Sequence, residues 1–274
     1  MITAGVDIGS TTTKAVVLDD GRVRGRVILA SGNLPGEVAL KVLEGALAAA
    51  GLKESELAAV AATGYGRRLV DLGGMVMTEI KAVAAGALAA TAGAAVERVH
   101  TVIDVGGQDT KVIALDDAGD IEDFSMNDKC AAGTGRFLEM LAHKLELRYE
   151  DFVAEALKSD TMIQMNATCA VFAESEVVGL LARKVSKADI AAAAHNAIAA
   201  RIASMVRRVG TKGSYCFVGG GARNGALVKA VQEALNKPVY VPEDAQTVVA
   251  LGAAIGARRK LERAAEKEKD EDKL

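Results

Sequence analysis

The sequence predicts an α/β protein of two lobes, built by duplicating one hairpin-containing unit. Three observations carry that expectation. Residues 103–117, IDVGGQDTKVIALDD, match residues 6–20, VDIGSTTTKAVVLDD, without a gap. The offset is constant at 97, the difference between Asp104 and Asp7, and so long a match at one spacing signals an internal repeat. Short apolar runs of strand character alternate with alanine-rich runs of helical period, as in α/β proteins. At 274 residues the chain is long enough for a large core and two such units.

Taken in order, Ile2 to Gly9 reads as a strand ending in Asp-x-Gly. Lys14 to Leu18 is its hairpin partner, Asp20-Gly21 a hairpin turn, and Val23 to Leu29 a third strand. Glu37 to Ala50 carries Val38, Leu40, Val42, Leu43 and Leu47 in a helical pattern closed by Gly51. Leu57 to Thr63 is a strand running into the loop TGYGRR, and Lys81 to Ala95 is an alanine-rich helix. After the repeated hairpin comes a helix beginning beyond Cys130, on which Phe137, Leu138 and Leu141 share a face. A short helix follows from Tyr149 to Leu157. A further helix begins at Cys169, with Val171, Phe172, Ser175, Val178 and Leu181 as its helical pattern. Lys187 to Arg208 is a long helix with a small-residue face. Gly213 to Val218 is a strand feeding Gly219-Gly-Gly-Ala-Arg-Asn224, and Ala226 to Leu235 a helix. Lys237 to Val241 is a short strand and Ala245 to Lys260 the final helix. The expected division is a first lobe over 1–98 with helix 245–260 packed back on it, a second lobe over 99–244, and a charged tail over 261–274.

Composition narrows the function. Half of the residues are hydrophobic but only 3% are aromatic, so alanine and small aliphatics must do the packing. Net charge is −3 with no basic stretch interleaved with aromatics, which disfavours nucleic acid as a partner. The longest uncharged run, Ala82 to Val96, is 15 residues of mostly Ala, Gly and Thr, too short and too weakly apolar to span a bilayer. MITAGVDIGS lacks the charged and apolar regions of a signal peptide, so a soluble, cytoplasmic chain is expected. Three cysteines without secretory context favour thiol or metal chemistry over disulfides.

The two Asp-x-Gly turns suggest a phosphate site. A strand that ends in glycine and turns into hydroxyl side chains presents N–H groups and hydroxyls to an anion. Ser10, Thr11, Thr12, Thr13 and Lys14 would cradle the β- and γ-phosphates of a nucleotide, and Gly106 and Gly107 of the second copy would close from the other side. Asp7 and Asp104 would face each other and hold Mg²⁺, through its waters. Gly220, Gly221 and Asn224, between a strand and a helix, would let the backbone approach a ribose or adenine. Gly133 and Gly135 sit at the helix start where they could line the same cleft. Two tight hairpins with turn glycines are the bland alternative. Neither a P-loop nor a G-x-G-x-x-G after the first strand is present.

Cys130 and Cys169, 39 positions apart (169 − 130), each precede a helix, where the positive dipole end favours a thiolate or another anion. Cys216 lies in an apolar strand and reads as a buried, inert thiol. For the first two, buried thiols, a zinc site and an iron–sulfur cluster all remain open. Structural zinc wants four N/S ligands, and no histidine lies near either cysteine in the sequence; His100, His143 and His195 are scattered. A cluster wants four thiolates, which two chains could supply across a two-fold axis.

AGVDIGSTTTK, ATGYGR, VIDVGGQDTK, MNDKCAAGTGRF, CAVFAESEV and VGGGARN together resemble the activator ATPases of 2-hydroxyacyl-CoA dehydratases, a family that includes the ATP-binding subunits of benzoyl-CoA reductase. The resemblance runs from about Ile2 to Arg258, and GGQD and NDKCAAGTGRF favour the dehydratase-activator branch. It implies an actin/Hsp70/sugar-kinase-like (ASKHA) fold, two lobes around a nucleotide cleft. It also implies a homodimer bridged by one 4Fe–4S cluster, to which Cys130 and Cys169 of each chain would be ligands. Gln246 matches a glutamine that contacts the nucleotide in similar proteins, while Arg223 stands where relatives carry glutamine.

The implied function is an ATP-driven one-electron donor. Ferredoxin or flavodoxin would reduce the cluster, and ATP hydrolysis would deliver the electron to a partner iron–sulfur acyl-CoA dehydratase or reductase. Moving one electron uphill costs about 2.3 kcal/mol per 100 mV, hence the need for ATP. Gln108 and Asp109 are the candidates for positioning the attacking water. Two other classes compete: a small-molecule kinase of the same fold with Asp104 as base, and an ATP-dependent switch with zinc or nothing at the dimer axis.

Overall fold

The computed structural model describes residues 1–128, 133–161, 163–165, 170–210 and 213–271. In chain order the elements are β1 (Ile2–Ile8), β2 (Thr12–Asp19), β3 (Arg22–Ala30), α1 (Pro35–Ala50), β4 (Ala59–Thr63), β5 (Met75–Val76), α2 (Glu79–Thr91), β6 (Val99–Val105), β7 (Thr110–Leu115) and β8 (Ile121–Asn127). There follow α3 (Gly135–Lys144), α4 (Tyr149–Lys158), α5 (Ala170–Ala182), α6 (Lys187–Val209), β9 (Ser214–Val218), α7 (Gly225–Leu235), β10 (Val239–Tyr240) and α8 (Val248–Glu271). They form two compact units: Met1–Ala92 with the segment that begins at Thr247, and Gly93–Gln246.

Each unit is built on one five-stranded mixed sheet, ordered β3-β2-β1-β4-β5 in the first and β8-β7-β6-β9-β10 in the second. Read in that direction the two orders are the same. In both, a two-hairpin meander is antiparallel and the next two strands join it in parallel. The sequence repeat is also a repeat of register. Asp7 pairs with Lys14 and Asp104 with Lys111, each shifted by 97. The duplication thus places two pairs of charged residues at equivalent points of two sheets.

In the first unit the sheet lies between two helices, and the period-2 alternation of its strands says why. Ala4, Val6 and Ile8 of β1, with Ala15 and Val17 of β2, pack on Ala39, Val42, Leu43, Ala46 and Leu47 of α1. Val16 and Leu18 point the other way, onto Ala250 and Ala254 of α8. That second layer is close because it is built from small residues. A Cβ at Gly86 of α2 would collide with the Val248 carbonyl, and one at Gly252 of α8 with the Ala82 carbonyl. Helices that touch backbone to backbone need no aromatic filler, which accommodates the low aromatic content.

The second unit concentrates the large side chains. Phe137, Phe152 and Phe217, all fully buried, share one core with Leu138, Leu141, Ile190, Ile198 and Ile202. Phe137, Leu138 and Leu141 do lie on one buried face of α3, as their spacing predicts. For α5 the expected pattern fails. Phe172 and Val178 are exposed, 68% and 49%, and the buried positions are Ala173, Val177 and Leu180. The α5 sequence is apolar almost all round, so periodicity gives its face no signal. The final helix also differs from expectation, continuing past Lys260 to Glu271. It meets no proline or glycine after Gly256, and Arg258 Nε donates to Glu262 Oε1 at 2.7 Å, one turn on.

Candidate functional site

The repeated aspartates are both buried, Asp7 5% and Asp104 4% exposed, each at the end of a central strand. Lys14 Nζ lies 2.9 Å from Asp7 Oδ2, and Lys111 Nζ lies 3.3 Å from Asp104 Oδ2. Lys111 also reaches Asp109 Oδ2 at 2.8 Å, which makes the second copy a triad where the first is a pair. The divergence follows the alignment, because Asp109 occupies the position that Thr12 holds in the first copy. One half is therefore rich in hydroxyls and neutral as a pair, and the other carries an added carboxylate.

Glycines bring the backbone against both aspartates. Gly64 follows β4 with φ +90°, and a Cβ there would sit 2.6 Å from Asp7 Oδ1 and from the Ile8 carbonyl. Gly219 follows β9 with φ +85°, and a Cβ there would strike Asp104 Oδ1 and lie 2.6 Å from the Val105 carbonyl. Residues 64–68, GYGRR, and 219–223, GGGAR, thus form a second matched pair, offset by 155 (219 − 64). From the sequence the first of these reads as a plain loop. The signal for its role is the shared spacing of Gly64, Gly66 and Arg68 with Gly219, Gly221 and Arg223.

The hydroxyl run of the first unit divides by role. Thr13 is fully buried, and its Oγ1 shares a 2.9 Å hydrogen bond with Ser31, whose Oγ donates to the Gly9 carbonyl at 2.6 Å. Its hydroxyl braces the turn rather than projecting from it. Thr11 Oγ1 is buried without a hydrogen-bond partner among the described residues, as is Thr63 Oγ1 beside Asp7 in the sheet register. Orphaned hydroxyls at a glycine turn are what a bound oxyanion would satisfy. The residues present fit a phosphate group.

In the second unit three bonds clamp the Asp-x-Gly turn to the turn before α3. Thr110 Oγ1 donates to the Gly133 carbonyl at 2.7 Å, Gly135 N to the Gly106 carbonyl at 2.9 Å, and Arg136 N to the Gly107 carbonyl at 3.0 Å. Gly106, Gly107, Gly133 and Gly135 are therefore one structure, with Thr134 buried inside it. Gln108 sits at the tip of the same turn. Cys130 and Cys169 lie outside the described residues, just before Gly133 and just before α5. Cys216 is fully buried in β9, and burial pushes its thiol up to about 12, as an inert core cysteine should be.

At the glycine run, Gly219 N donates to the Ala245 carbonyl at 2.9 Å, and Arg223 Nη1 donates to Gln246 Oε1 at 3.0 Å. Gln246 is thus brought to the turn, paired with Arg223. Gly220 is open, with only Gln246 Nε2 within 4.0 Å of its would-be Cβ. Asn224 is different. Its side chain is 3% exposed and all its polar atoms are used inside the protein, so it frames the turn from below.

The chain as a whole has close relatives. Relatives include the 2-hydroxyisocaproyl-CoA dehydratase activator of Clostridioides difficile, 37% identical over 94% of this chain and 95% of that one. One benzoyl-CoA reductase subunit, from Thauera aromatica, is 31% identical over 93% and 92%. The solved activator of the 2-hydroxyisocaproyl-CoA dehydratase from Clostridium difficile with bound ADPNP superposes with a TM-score of 0.87 at 35% identity, over 97% of this chain and 98% of that one. A ROK family glucokinase from Streptomyces griseus shares the fold alone, at TM-score 0.59 and 15% identity over 94% and 100%. The duplicated sheets, equivalent half by half, are accordingly an actin- and sugar-kinase-like ASKHA architecture. The model of one family covers residues 4–257, both sheets and every turn described above, and the chain belongs to it: the BadF/BadG/BcrA/BcrD ATPase family.

Proposed function

We propose that this chain is an ATP-dependent activator that passes single electrons to an iron–sulfur 2-hydroxyacyl-CoA dehydratase. The observation that carries the reading is the clamp between Gly106–Thr110 and Gly133–Arg136, since it ties a phosphate turn to the segment that holds Cys130. The greater identity to a dehydratase activator than to the benzoyl-CoA reductase relative supports the choice of partner class.

The residues then take the following roles. Ser10, Thr11 and Thr12 would receive phosphate oxygens, with the Thr11 hydroxyl finding the partner it lacks among the described residues. Asp7 and Asp104 would hold Mg²⁺, which supplies charge neutralisation on the phosphates. Lys14 and Lys111 keep the two carboxylates in fixed rotamers. Gln108 and Asp109 would orient the attacking water, Asp109 being steadied by Lys111. Gly220, Gly221 and Gln246 would meet the nucleoside end.

Cys130 and Cys169 would hold one 4Fe–4S cluster per homodimer. The donor set fits, because two thiols per chain become the four thiolates such a cluster takes. When bound, the cluster supplies a one-electron carrier at low potential, loaded from ferredoxin or flavodoxin. The chain's own part would be to orient its cysteine-bearing segments according to the nucleotide, and no described helix is long and apolar enough to cross a membrane. The test is reconstitution. Under anaerobic conditions, the brown protein with ATP and a low-potential reductant should switch on a purified 2-hydroxyacyl-CoA dehydratase. A colourless protein that phosphorylates a small molecule, and activates no dehydratase, would sink the reading.

A further inference from the structure

Beneath the glycine run of the second unit lies a buried polar network. Asn224 Oδ1 accepts from Leu227 N at 3.0 Å, capping α7, and its backbone N donates to the Gly221 carbonyl at 3.1 Å, closing the turn. The two hydrogens of Nδ2 go to Tyr149 Oη at 3.0 Å and His195 Nε2 at 2.9 Å. The cap fixes which end of the amide is oxygen, because a backbone N–H can only donate. His195 Nδ1 in turn lies 2.7 Å from the Ala191 carbonyl, so that nitrogen carries the proton and Nε2 offers its lone pair. Phe152 stacks on the imidazole at 5.1 Å between ring centroids. His195 is 1% exposed, and burial lowers its pKa to about 4, so it stays the neutral acceptor the geometry requires.

A helix cap alone does not demand this arrangement, since Ser, Thr or Asp would serve as well. Only a carboxamide combines one acceptor for the cap with two donors for side chains on α4 and α6. The three-helix anchor fixes the far end of a turn whose near end is fixed by the Ala245 carbonyl. We infer that His195 and Tyr149 are positioning residues for nucleotide affinity: through Asn224 they hold the Gly219–Arg223 turn at the height that meets a nucleoside. The inference rests on the proposed use of that turn as the nucleoside wall, and concerns residues that touch no ligand.

The experiment compares two probes on the full-length protein, ADP and inorganic tripolyphosphate, by calorimetry. Tripolyphosphate reaches only the phosphate turns, so it reports on folding of the rest. His195→Leu should weaken ADP about five- to tenfold, the worth of about one hydrogen bond, and change tripolyphosphate by less than about twofold. Tyr149→Phe should shift ADP in the same direction by less. His195→Gln, whose amide oxygen can accept the same bond, should return to within about twofold of wild type. Gly220→Val is the control for the underlying reading, because its side chain would project into open space above the turn. If Gly220→Val leaves ADP affinity intact, the turn is not the nucleoside wall and that reading fails first. If it weakens ADP while His195→Leu and Tyr149→Phe do not, the positioning role alone is overturned. Equal loss of both probes in His195→Leu, or a glutamine variant as weak as the leucine one, would likewise overturn it. Should His195→Leu fail to fold, Tyr149→Phe decides.

Discussion

Thr110 donates its hydroxyl to the carbonyl of Gly133 at 2.7 Å, in the interior of the second unit. It joins the turn that would sense phosphate to the turn that follows Cys130. Gly133 also leaves no room for a larger residue, since its φ is +98° and its would-be Cβ lies 2.6 Å from Arg201 Cδ. If nucleotide state alters the first turn, the second must follow, and linkage requires the influence to run both ways.

The coupling is therefore expected to depend on Thr110. In the wild type an iron chelator should remove iron at distinct rates from the ATP-bound, ADP-bound and nucleotide-free protein. Thr110→Val keeps the volume and removes the donor, leaving the Gly133 carbonyl short of one bond. The spread of rates should shrink severalfold, with ATP affinity changed by less than about threefold. Chelation that ignores nucleotide in the wild type would leave an ATPase that merely holds a cluster.

The cysteines can be separated by iron content. Wild-type protein should contain about four irons per dimer. Cys130→Ala and Cys169→Ala should each bleach it. Cys216→Ala should keep its colour, because that thiol is sealed in β9 and held protonated by burial. Full iron in either of the first two variants would remove the assignment.

The two aspartates should differ in a way that the bare repeat does not suggest. Asp7→Asn and Asp104→Asn should both cut Mg-dependent ATP hydrolysis at least about a hundredfold, each taking a charge from the proposed metal shell. Stability should separate them. Lys111 keeps Asp109 when Asp104 is neutralised, whereas Lys14 loses the carboxylate it pairs with when Asp7 is. Asp7→Asn should cost about 2–3 kcal/mol and Asp104→Asn clearly less, measured by denaturant midpoints. Equal costs would mean that the triad does not share its lysine's charge.

What the sequence makes legible is whatever the duplication wrote twice. The offset of 97 marks the hairpins, the aspartates and their lysine partners, and the structure returns the same register in both sheets. The strand β8 follows the repeat too, since β3 shifted by 97 falls on it. Features written once, or written with different letters, are not legible. Gly64 and Gly219 share a task, but only three of five residues in their turns match. Thr13 reads as a phosphate ligand because it stands in a hydroxyl run, and only the fold shows Ser31 consuming its hydroxyl. The buried face of α5 escapes periodicity because apolar residues lie on every side of that helix and its polar residues, Glu174 to Glu176, are consecutive. The Tyr149–Asn224–His195 network joins residues up to 75 apart with no pattern between them.

His195 also gives the protein a defined acid sensitivity. Its ordinary pKa is near 6.5, and burial lowers it in the folded state to about 4, against a smaller raising effect from the Ala191 carbonyl. In the unfolded chain the imidazole takes up a proton as pH falls through 6.5, while the folded chain does not until about 4. The unfolded state therefore binds more protons in that window, and stability falls as pH falls from 6.5 to 4. The difference of about 2.5 units corresponds to about 3 kcal/mol, fully present above pH 6.5 and gone below pH 4. Asp116 and Asp189, whose carboxyls backbone N–H groups and serine hydroxyls respectively hold below their usual range, act in the same direction but below about pH 4. Denaturant unfolding at pH 7.5, 6, 5 and 4.5 on wild type and His195→Gln would isolate the contribution, since every other group cancels in the difference. Across that range the wild type should lose stability steadily relative to the glutamine variant. Parallel pH profiles for the two proteins would show that the imidazole is not the neutral, buried acceptor that the bond from Asn224 requires.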